Sequence, residues 1–554
     1  MTILLAPLAA APLRQGLTDS DGSWCVHLAP GAYVVRAAGR GMEGAARLVT
    51  VPPGGQSQQI ELSLKVSSLA TQVEVTASRL PESLWDAPLP VRQVDRRHLR
   101  AVGARQLNDA LQEIPEVVTF AGGQHSGGAS ANVQGFASRD VEILLDGQPL
   151  FGRVNGYVDL NQFDASFIEA IEIKTGASAM TYGLQGMGGV IHLLTRRAAE
   201  GRHAGFEAGY GSFNTALARA EAGYAARGFA LYGAAAMQRG LGYHLIPTAI
   251  GKTQPANRVR NVFQSVYLPA WKNWNAASTF LFLDQNFWGF DGSPATGIYD
   301  FRRPKRRVIL LPRATYTLGG SSLLALRARR IYYRSDEDVV YRAPFSLRGQ
   351  KTENMAEGGD AEWTVARADG LRFATSLYFN HHRMVGERLT TSGNEASTAV
   401  WSQLSTAEVP LASGWRLLAG YRADRDRLFG ARLSPQLAVA WRPSDRLSLS
   451  GGATRGVRAP DFNEMYIFHT HAGGRVVIYG EPTLRPQRSW SYHAGALVHA
   501  IPKSRLETRL FHHDLTDLIE AAFQARQGIA SIYRYANIGR ARIRGGSANL
   551  HYTP

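Results

Sequence analysis

Two runs decide how this chain is read: VQGFASRDVEILLDGQPL at Val133–Leu150 and FIEAIEIKTGASAMTYGLQGMGGVIHLLTRR at Phe167–Arg197. Each contains an apolar-rich strand closed by a glycine turn, VEILLDG in the first and IEAIEIKTG in the second. Gly188-Gly189 then opens a third strand, Val190-Ile191-His192-Leu193-Leu194, as happens where one backbone must approach another closely. None of these residues forms a catalytic set. Together they outline a compact α/β domain topped by loops.

Outward from that stretch, residues 95–102 and 106–113 read as helices, the second stopped by Pro115. Residues 121–131 (AGGQHSGGASA), with Gln124, His125 and Ser126, form a Gly/Ser-rich loop. It is not a phosphate cradle, because no Lys-Ser/Thr follows at the required spacing. Gly251-Lys252-Thr253 fails the same test, since Ile246 stands where the first loop glycine belongs.

From about residue 203 to the end the pattern changes to repeated strands. In residues 505–510, Leu506, Thr508 and Leu510 share one face while Arg505, Glu507 and Arg509 share the other. Trp415, Leu417, Ala419, Tyr421 and Ala423 oppose Arg416, Gly420 and Arg422 in the same way. A charged face opposite an apolar one suits a wall between lumen and lipid, although a half-buried soluble sheet alternates too. The connections separate the two. Short turns at 225–228, 319–321, 367–370, 411–414, 443–445 and 501–504 alternate with long links at 240–258, 288–306, 334–350, 457–486 and 517–533. Outer-membrane barrels put short turns on the periplasmic side and long loops outside, which gives about 16 strands here.

Composition agrees. The 554 residues include 57 glycines, 10% aromatics and only 45% hydrophobics, and no apolar run is long enough for a transmembrane helix. The charge is basic, 61 Lys+Arg against 45 Asp+Glu, net +16. The arginines are scattered along strands, which argues against a nucleic-acid stripe. One cysteine, Cys25, rules out an intramolecular disulfide. HExxH, GxSxG and CxxC are all missing from the sequence, so an enzyme and a cofactor site are not expected.

The ordered elements Gly135-Phe136, Leu145-Asp146-Gly147, Ile168-Glu169, Ile171-Glu172-Ile173, Tyr182-Gly183 and Gly188-Gly189-Val190-Ile191 resemble the plug of TonB-dependent outer-membrane receptors. Gln134 stands where that family usually has Arg, Glu116 where Gly is usual, and His192 where Asn is usual. The barrel motif is also similar: Leu433-Ser434-Pro435, Arg442-Pro443-Ser444-Asp445, Arg455-Gly456-Val457-Arg458-Ala459-Pro460, Glu464-Met465-Tyr466 and Gly480-Glu481-Pro482, continuing to Ser489. The resemblance implies a mainly β chain: a transmembrane antiparallel β-barrel behind an N-terminal α/β plug. About 16 of the roughly 22 strands usual in such transporters are counted, so the barrel reads as truncated. The expected domains are 1–66 a small β-sandwich, 67–89 a linker, 90–198 the plug and 203–554 the barrel.

Residues 1–66 resemble the carboxypeptidase-regulatory-like (carbohydrate-binding-like) domain, with strands expected at 24–28, 32–38, 47–51 and 59–64 and the usual first strand missing. MTILLAPLAAAPLRQG lacks a basic residue ahead of its apolar run, so it reads as a degenerate signal peptide or a misplaced start. In the linker, Val73, Glu74, Val75, Thr76 and Ala77 resemble a TonB box, a segment that adds as a strand to the sheet edge of a periplasmic energy-coupling partner. A plain linker strand fits the same residues.

The resemblance further implies an outer-membrane receptor, monomeric, in contact with lipid and lipopolysaccharide. It would import a scarce small molecule such as a ferric siderophore or cobalamin-like metal chelate. The alternative is a non-transporting binding or signal-relay receptor, for oligosaccharide among other ligands. Plug loops carrying Gln124, His125, Ser126, Arg153, Asn155 and Tyr157 would face that ligand from below. From the outside loops come Arg302, Arg303, Tyr466, His469, His471 and Arg475. With Trp288, Phe290, Arg306 and Tyr479 they suggest an anionic, partly aromatic ligand. Lipopolysaccharide phosphates are the competing role for Arg302-Arg303-Pro304-Lys305-Arg306-Arg307. His469 and His471, at i and i+2, and Asp336-Glu337-Asp338 are weak metal candidates beside an ordinary solvated loop.

Overall fold

An apolar strand buried on both faces needs cover on both faces, and the domain around Val141–Leu145 is built that way. The computed structural model describes residues 91–552 except 122–127, 153–155, 177–185, 247, 249, 294–296, 320–321, 343–344, 368–369, 445, 472–474 and 500–503. Ahead of them it describes 2–7, 14–17, 24–27, 31–38, 42–43, 45–51, 60, 65–66, 74–75 and 82–83.

The plug holds a five-stranded sheet in the order Gln148–Pro149, Val141–Leu145, Gly189–Thr195, Ile168–Thr175, Val91–Asp95. Val141–Leu145 runs parallel to Gly189–Thr195, and the remaining pairs are antiparallel. Asp146 and Gly147 both have positive φ, 47° and 81°, which makes the two-residue turn that returns the chain as Gln148–Pro149. The paired glycines before the third strand have a steric cause. A Cβ on Gly188 would lie 2.4 Å from Cβ of Phe136, and one on Gly189 (φ 144°) 2.7 Å from the Lys174 carbonyl. The helices expected at 95–102 and 106–113 run Arg96–Ala101 and Leu107–Gln112. Asp95 caps the first by accepting from the His98 N–H, and Leu99, Leu107, Ala110 and Leu111 bury their apolar side.

The second assembly is an antiparallel wall. Its sheet has 18 strands from Gly201–Gly211 to Ala530–Tyr552. Two of them, Phe468–His471 and Val476–Tyr479, are a small hairpin inside one long link, and the sheet continues past it through pairing of Leu447–Arg458 with Gln487–Val498. The remaining sixteen are the number expected from the turns. Among the described residues no pairing joins the first strand to the last.

Alternation is strict. Arg303, Lys305, Arg307, Ile309 and Leu311 are buried on the plug side, whereas Arg302, Arg306 and Leu310 are exposed on the other. At the short-turn end, Trp274 lies against Tyr316, and Trp415 stacks on Trp441, as in an interfacial aromatic girdle.

Three of the long links are not loops for most of their length, whereas the described residues of 241–255 and most of those of 459–486 lie outside the strands as expected. Trp274–Ser293, Gly297–Gly319, Ser322–Arg342 and Phe345–Ala366 contain 20, 23, 21 and 22 residues. About 9–11 residues suffice to cross a bilayer. Residues 288–293 with 297–306, 334–342 with 345–350, and 517–527 with 530–533 are therefore paired strands standing beyond the membrane, where cross-strand hydrogen bonds overrode the loop-like Gly, Pro and Asp content. This corrects the loop placement of Arg302, Arg303 and Asp336-Glu337-Asp338.

The N-terminal region forms a separate four-stranded sheet ordered Arg14–Leu17, Thr2–Pro7, Gly31–Ala38, Ala45–Val51. Thr2–Pro7, read from sequence as a leader-like segment, is a central strand with partners on both sides. Trp24–His27, expected as a strand, is not one.

The alternation predicts a labelling contrast. With Cys25 replaced by Ser, cysteine at Leu310 (42% exposed) should react with an apolar maleimide in detergent. Cysteine at the adjacent Ile309 (0% exposed) should react at least about tenfold more slowly, as expected for a closed-packed interior. Equal rates would refute the register.

Candidate functional site

The run Arg302-Arg303-Pro304-Lys305-Arg306-Arg307 is divided by strand alternation into two jobs. Lys305 and Arg307 point at the plug. Lys305 Nζ donates to Asp159 Oδ2 at 2.9 Å, with both side chains 5% exposed. Asp159 Oδ1 meanwhile accepts from the Ala129 and Asn161 N–H groups, both at 3.0 Å. Arg307 donates from Nε to Gln162 (3.2 Å), from Nη2 to the Gly152 carbonyl (2.8 Å) and from Nη1 to the Phe151 carbonyl, and lies over the Tyr333 ring. Tyr157 sits beside the Lys305–Asp159 pair.

Further contacts extend this seat. Arg329 donates to Gln148 (2.8 Å) and Asn380 (2.6 Å), and Gln148 donates in turn to Asp360 (2.9 Å). Thr279 donates to Asp146 at 2.8 Å, Arg219 pairs with Asp164 at 3.0 Å, and Arg196 of the plug meets Glu221 and Tyr232 of the wall. Apolar contact fills the spaces between: Phe167 stacks on Phe263 at 5.3 Å.

A second seat lies on later strands. Arg458, fully buried, holds Glu464 (2.8 and 2.9 Å) and contacts Asp140 of the plug at 2.8 Å. Burial pushes the Asp140 carboxyl above its ordinary value, against the pull of Arg458 and Arg139. Arg139 pairs with Glu520.

The three plug positions that depart from the family pattern also have partners. Glu116 lies between Arg92 (3.3 Å) and Arg509 (3.8 Å), and Arg509 also donates to the Val91 carbonyl. Gln134, at φ 49°, contacts His513 at 3.3 Å. His192 Nε2 accepts from the Gly147 N–H at 2.8 Å, so its Nδ1 is left to donate to Glu172 at 3.1 Å.

At the end of the long hairpins, Glu337 binds Arg303 (2.7 Å) and Arg388 (2.9 Å) and feels the charge of His469. The short helix Phe462–Tyr466 and the Phe468–His471 strand pack here, the Tyr466 carbonyl accepting from Thr390 N–H and the Arg388 carbonyl from Phe468 N–H. Below this mouth a cavity is lined by Phe151, Tyr378, Asn380, His382, Ser402, Asp461 and Phe462. His382 stacks on Phe462 at 4.9 Å and contacts Asn354 at 3.1 Å.

The structure thus brings Arg303, Tyr466 and His469 together and puts Tyr157 below them. Arg475 is exposed at the hairpin turn. Arg302 and Arg306 face outward and are not part of the mouth, which corrects their assignment to the ligand. Asp336 and Glu337 fall on opposite faces, Asp336 on Arg334 and Glu337 on Arg303, so the acidic triplet does not converge on a cation. No metal-holding cluster occurs among the described residues. Gln124, His125, Ser126, Arg153, Asn155, Val73, Thr76 and Ala77, and the His471 side chain, lie outside the described residues; Glu74–Val75 is a strand. Lys305, Arg307, Arg329, Arg458, Asp140 and Asp159 were missed as a functional set. The signal in the sequence was the period-two alternation of residues 302–307, which sorts them by face without saying which face turns inward.

A strand wall with a folded domain seated against its inner face defines an architecture, and comparison with known proteins decides its family. Residues 238–553 match the TonB dependent receptor-like β-barrel, and residues 83–190 match the TonB-dependent receptor plug domain. The chain belongs to the TonB-dependent receptor family. Vitamin B12 transporter BtuB of Photobacterium profundum is 23% identical over 437 residues, 76% of this chain and 66% of the relative. The iron-regulated outer membrane virulence protein of Vibrio cholerae is 23% identical over 518 residues, 86% of this chain and 74% of that protein. The fold is similar to the siderophore receptor PirA of Acinetobacter baumannii (TM-score 0.69, 14% identity, 83% of this chain and 77% of that one). This receptor therefore spans about two thirds of the length of the first relative. Its family places it in the outer membrane of a Gram-negative bacterium.

The plug seat makes a mutational prediction. Lys305→Met strands the buried Asp159 carboxylate and should cost about 3–5 kcal/mol in denaturant unfolding, whereas Lys305→Met with Asp159→Leu should recover most of that loss. A single variant as stable as wild type would contradict the seat.

Proposed function

We propose that this receptor takes up a scarce small molecule, of the ferric siderophore or cobalamin-like class, through the outer membrane with energy from a TonB-type periplasmic partner. The plug seated on the wall by buried ion pairs carries the reading. A plug held by charge pairs blocks passage at rest, and such pairs nearly break even against hydration, so a pull on the plug can open them. Relatives that transport vitamin B12 or serve as siderophore receptors support this choice of ligand class. No catalytic step is part of it.

The mouth is suited to an anionic, partly aromatic ligand. Arg303 and Arg388 share the single carboxylate Glu337, which leaves a positive excess beside Tyr466 and His469. Ligand would rest there first and then meet the Phe151, His382 and Phe462 cavity. Coupling would come from Val73–Ala77, joined edge-on to the partner's sheet through main-chain hydrogen bonds.

The test is Val75→Pro. It removes a donor and fixes the dihedral in the middle of the pairing segment. Radiolabelled ligand should still bind to cells while uptake falls to background. Wild-type uptake would leave the segment as a plain linker, and loss of binding as well would point to a misfolded plug.

A further inference from the structure

The wall is uneven in height, and the step between short and tall strands holds a cavity. On one side of Trp274–Ser293 strand pairing stops at Ala256 opposite Trp288, while on the other side it continues to Ser293. Among the described residues, 289–293 therefore have no strand neighbour on the side where residues 241–255 cross. That link folds over the bare edge. Tyr243 and Gln254 exchange two backbone hydrogen bonds of 3.1 Å across it, and a Cβ on Gly251 would lie 2.7 Å from the Phe290 carbonyl oxygen.

Between link and edge is a cavity of about 200 Å³ lined by Leu241, Pro255, Ala256, Trp288, Phe290 and Phe301. Gly289 keeps it open. A Cβ there would lie 3.3 Å from the Phe301 ring and 3.9 Å from Pro255, so a larger side chain enters the space between them. The two charged residues of the lining are already engaged: Lys252 Nζ donates to the Leu241 carbonyl at 2.6 Å, and Asp291 Oδ1 accepts from the Gly292 N–H at 2.7 Å. What the cavity presents is rings and aliphatic surface.

Protein interiors are close-packed, so an apolar space of this size beyond the membrane marks a place for a guest. A cavity of about 150 Å³ with a similar lining admits benzene, so this one has room for a single substituted ring and not for a long acyl chain. The three rings of the lining favour an aromatic guest, through edge and offset stacking. Phe301 is shared with the mouth: the Arg303 guanidinium lies over its ring at 4.4 Å and binds Glu337 at 2.7 Å. A molecule whose anionic part is held by Arg303 therefore finds the cavity on the other side of one ring.

We propose that this cavity is an aryl site, taking an uncharged aromatic ring that projects from the anionic chelate held at the mouth. The assignment rests on the ligand class inferred above. Recognition is then divided in two, Arg303 and Arg388 reading charge while Trp288, Phe290 and Phe301 read the ring.

The experiment uses the purified receptor in detergent and two ferric tris-catecholamide chelates of equal charge, one N-methyl and one N-benzyl, followed by radioactive iron. Wild type should bind the benzyl chelate about tenfold more tightly, the gain expected from burying one ring. Trp288→Ala opens the lining and Gly289→Val fills the space, and each should bring the two chelates to within about twofold of each other. Trp288→Phe keeps a ring and should keep most of the preference. As a second readout, para-fluorobenzyl alcohol alone should broaden in fluorine NMR with wild type and not with Gly289→Val in the same detergent, a comparison that cancels partition into the micelle. Equal binding of both chelates by wild type overturns the proposal, as does a benzyl preference that survives both Trp288→Ala and Gly289→Val. Equal broadening by wild type and Gly289→Val overturns it too. If neither chelate binds while the alcohol still distinguishes the two receptors, the ferric-chelate reading falls and the aryl cavity stands.

Discussion

A charged group enclosed by a strand wall must find its partner inside that wall, and this constraint organises the receptor. Lys305 meets Asp159, Arg307 meets Gln162 and two plug carbonyls, and Arg458 meets Asp140. Replacing one side chain of a pair leaves the other charge buried without compensation, so each pair fixes where the plug sits. The same pairs gain little over hydrated ions, because desolvation cancels most of the Coulomb attraction. Such an interface specifies position strongly and resists displacement weakly. An apolar seat of the same area would hold the plug without that reversibility.

The apolar contacts have a complementary part. Phe167 on Phe263, with Tyr232, Leu281, Ile309 and Ile331 around them, fills the space between the charge pairs and keeps water from them. Substitutions away from the family pattern are absorbed by the same logic. Glu116 introduces a buried carboxylate, and Arg92 and Arg509 stand on either side of it. His192 fits the plug core because the Gly147 N–H and Glu172 use both of its ring nitrogens.

Much of this fold was legible in the chain because local and tertiary requirements agree there. VEILLDGQP contains its own turn, since Asp146-Gly147 accepts the left-handed backbone that a two-residue hairpin requires. The short turns marked sixteen strands because each couples a polar break to a change of face. In His381-His382 and His512-His513 strand alternation sends neighbouring side chains to opposite faces: His382 and His513 turn inward, and His512 pairs outside with Asp514. The long hairpins were not legible. Residues 288–306 carry Gly, Pro and Asp in loop-like density, and only neighbouring strands supply the hydrogen bonds that extend them. The mouth was half legible for a related reason. Arg302 and Arg303 look equivalent in sequence, and the phase that sends one out and the other in is set by contacts of Lys305 and Arg307 with the plug, more than 140 positions earlier.

The central claim is that the seated plug is the closed gate and must leave its seat for transport. It is tested most directly by tying the seat shut. With Cys25 replaced, cysteines at Asp159 and Lys305 can be bridged by a short bifunctional thiol reagent, and ligand binding and uptake measured on the same cells before and after bridging. The account predicts unchanged binding and abolished uptake after bridging, with uptake restored when a cleavable bridge is reduced. Undiminished uptake through a receptor whose plug is covalently fixed to its wall would contradict it.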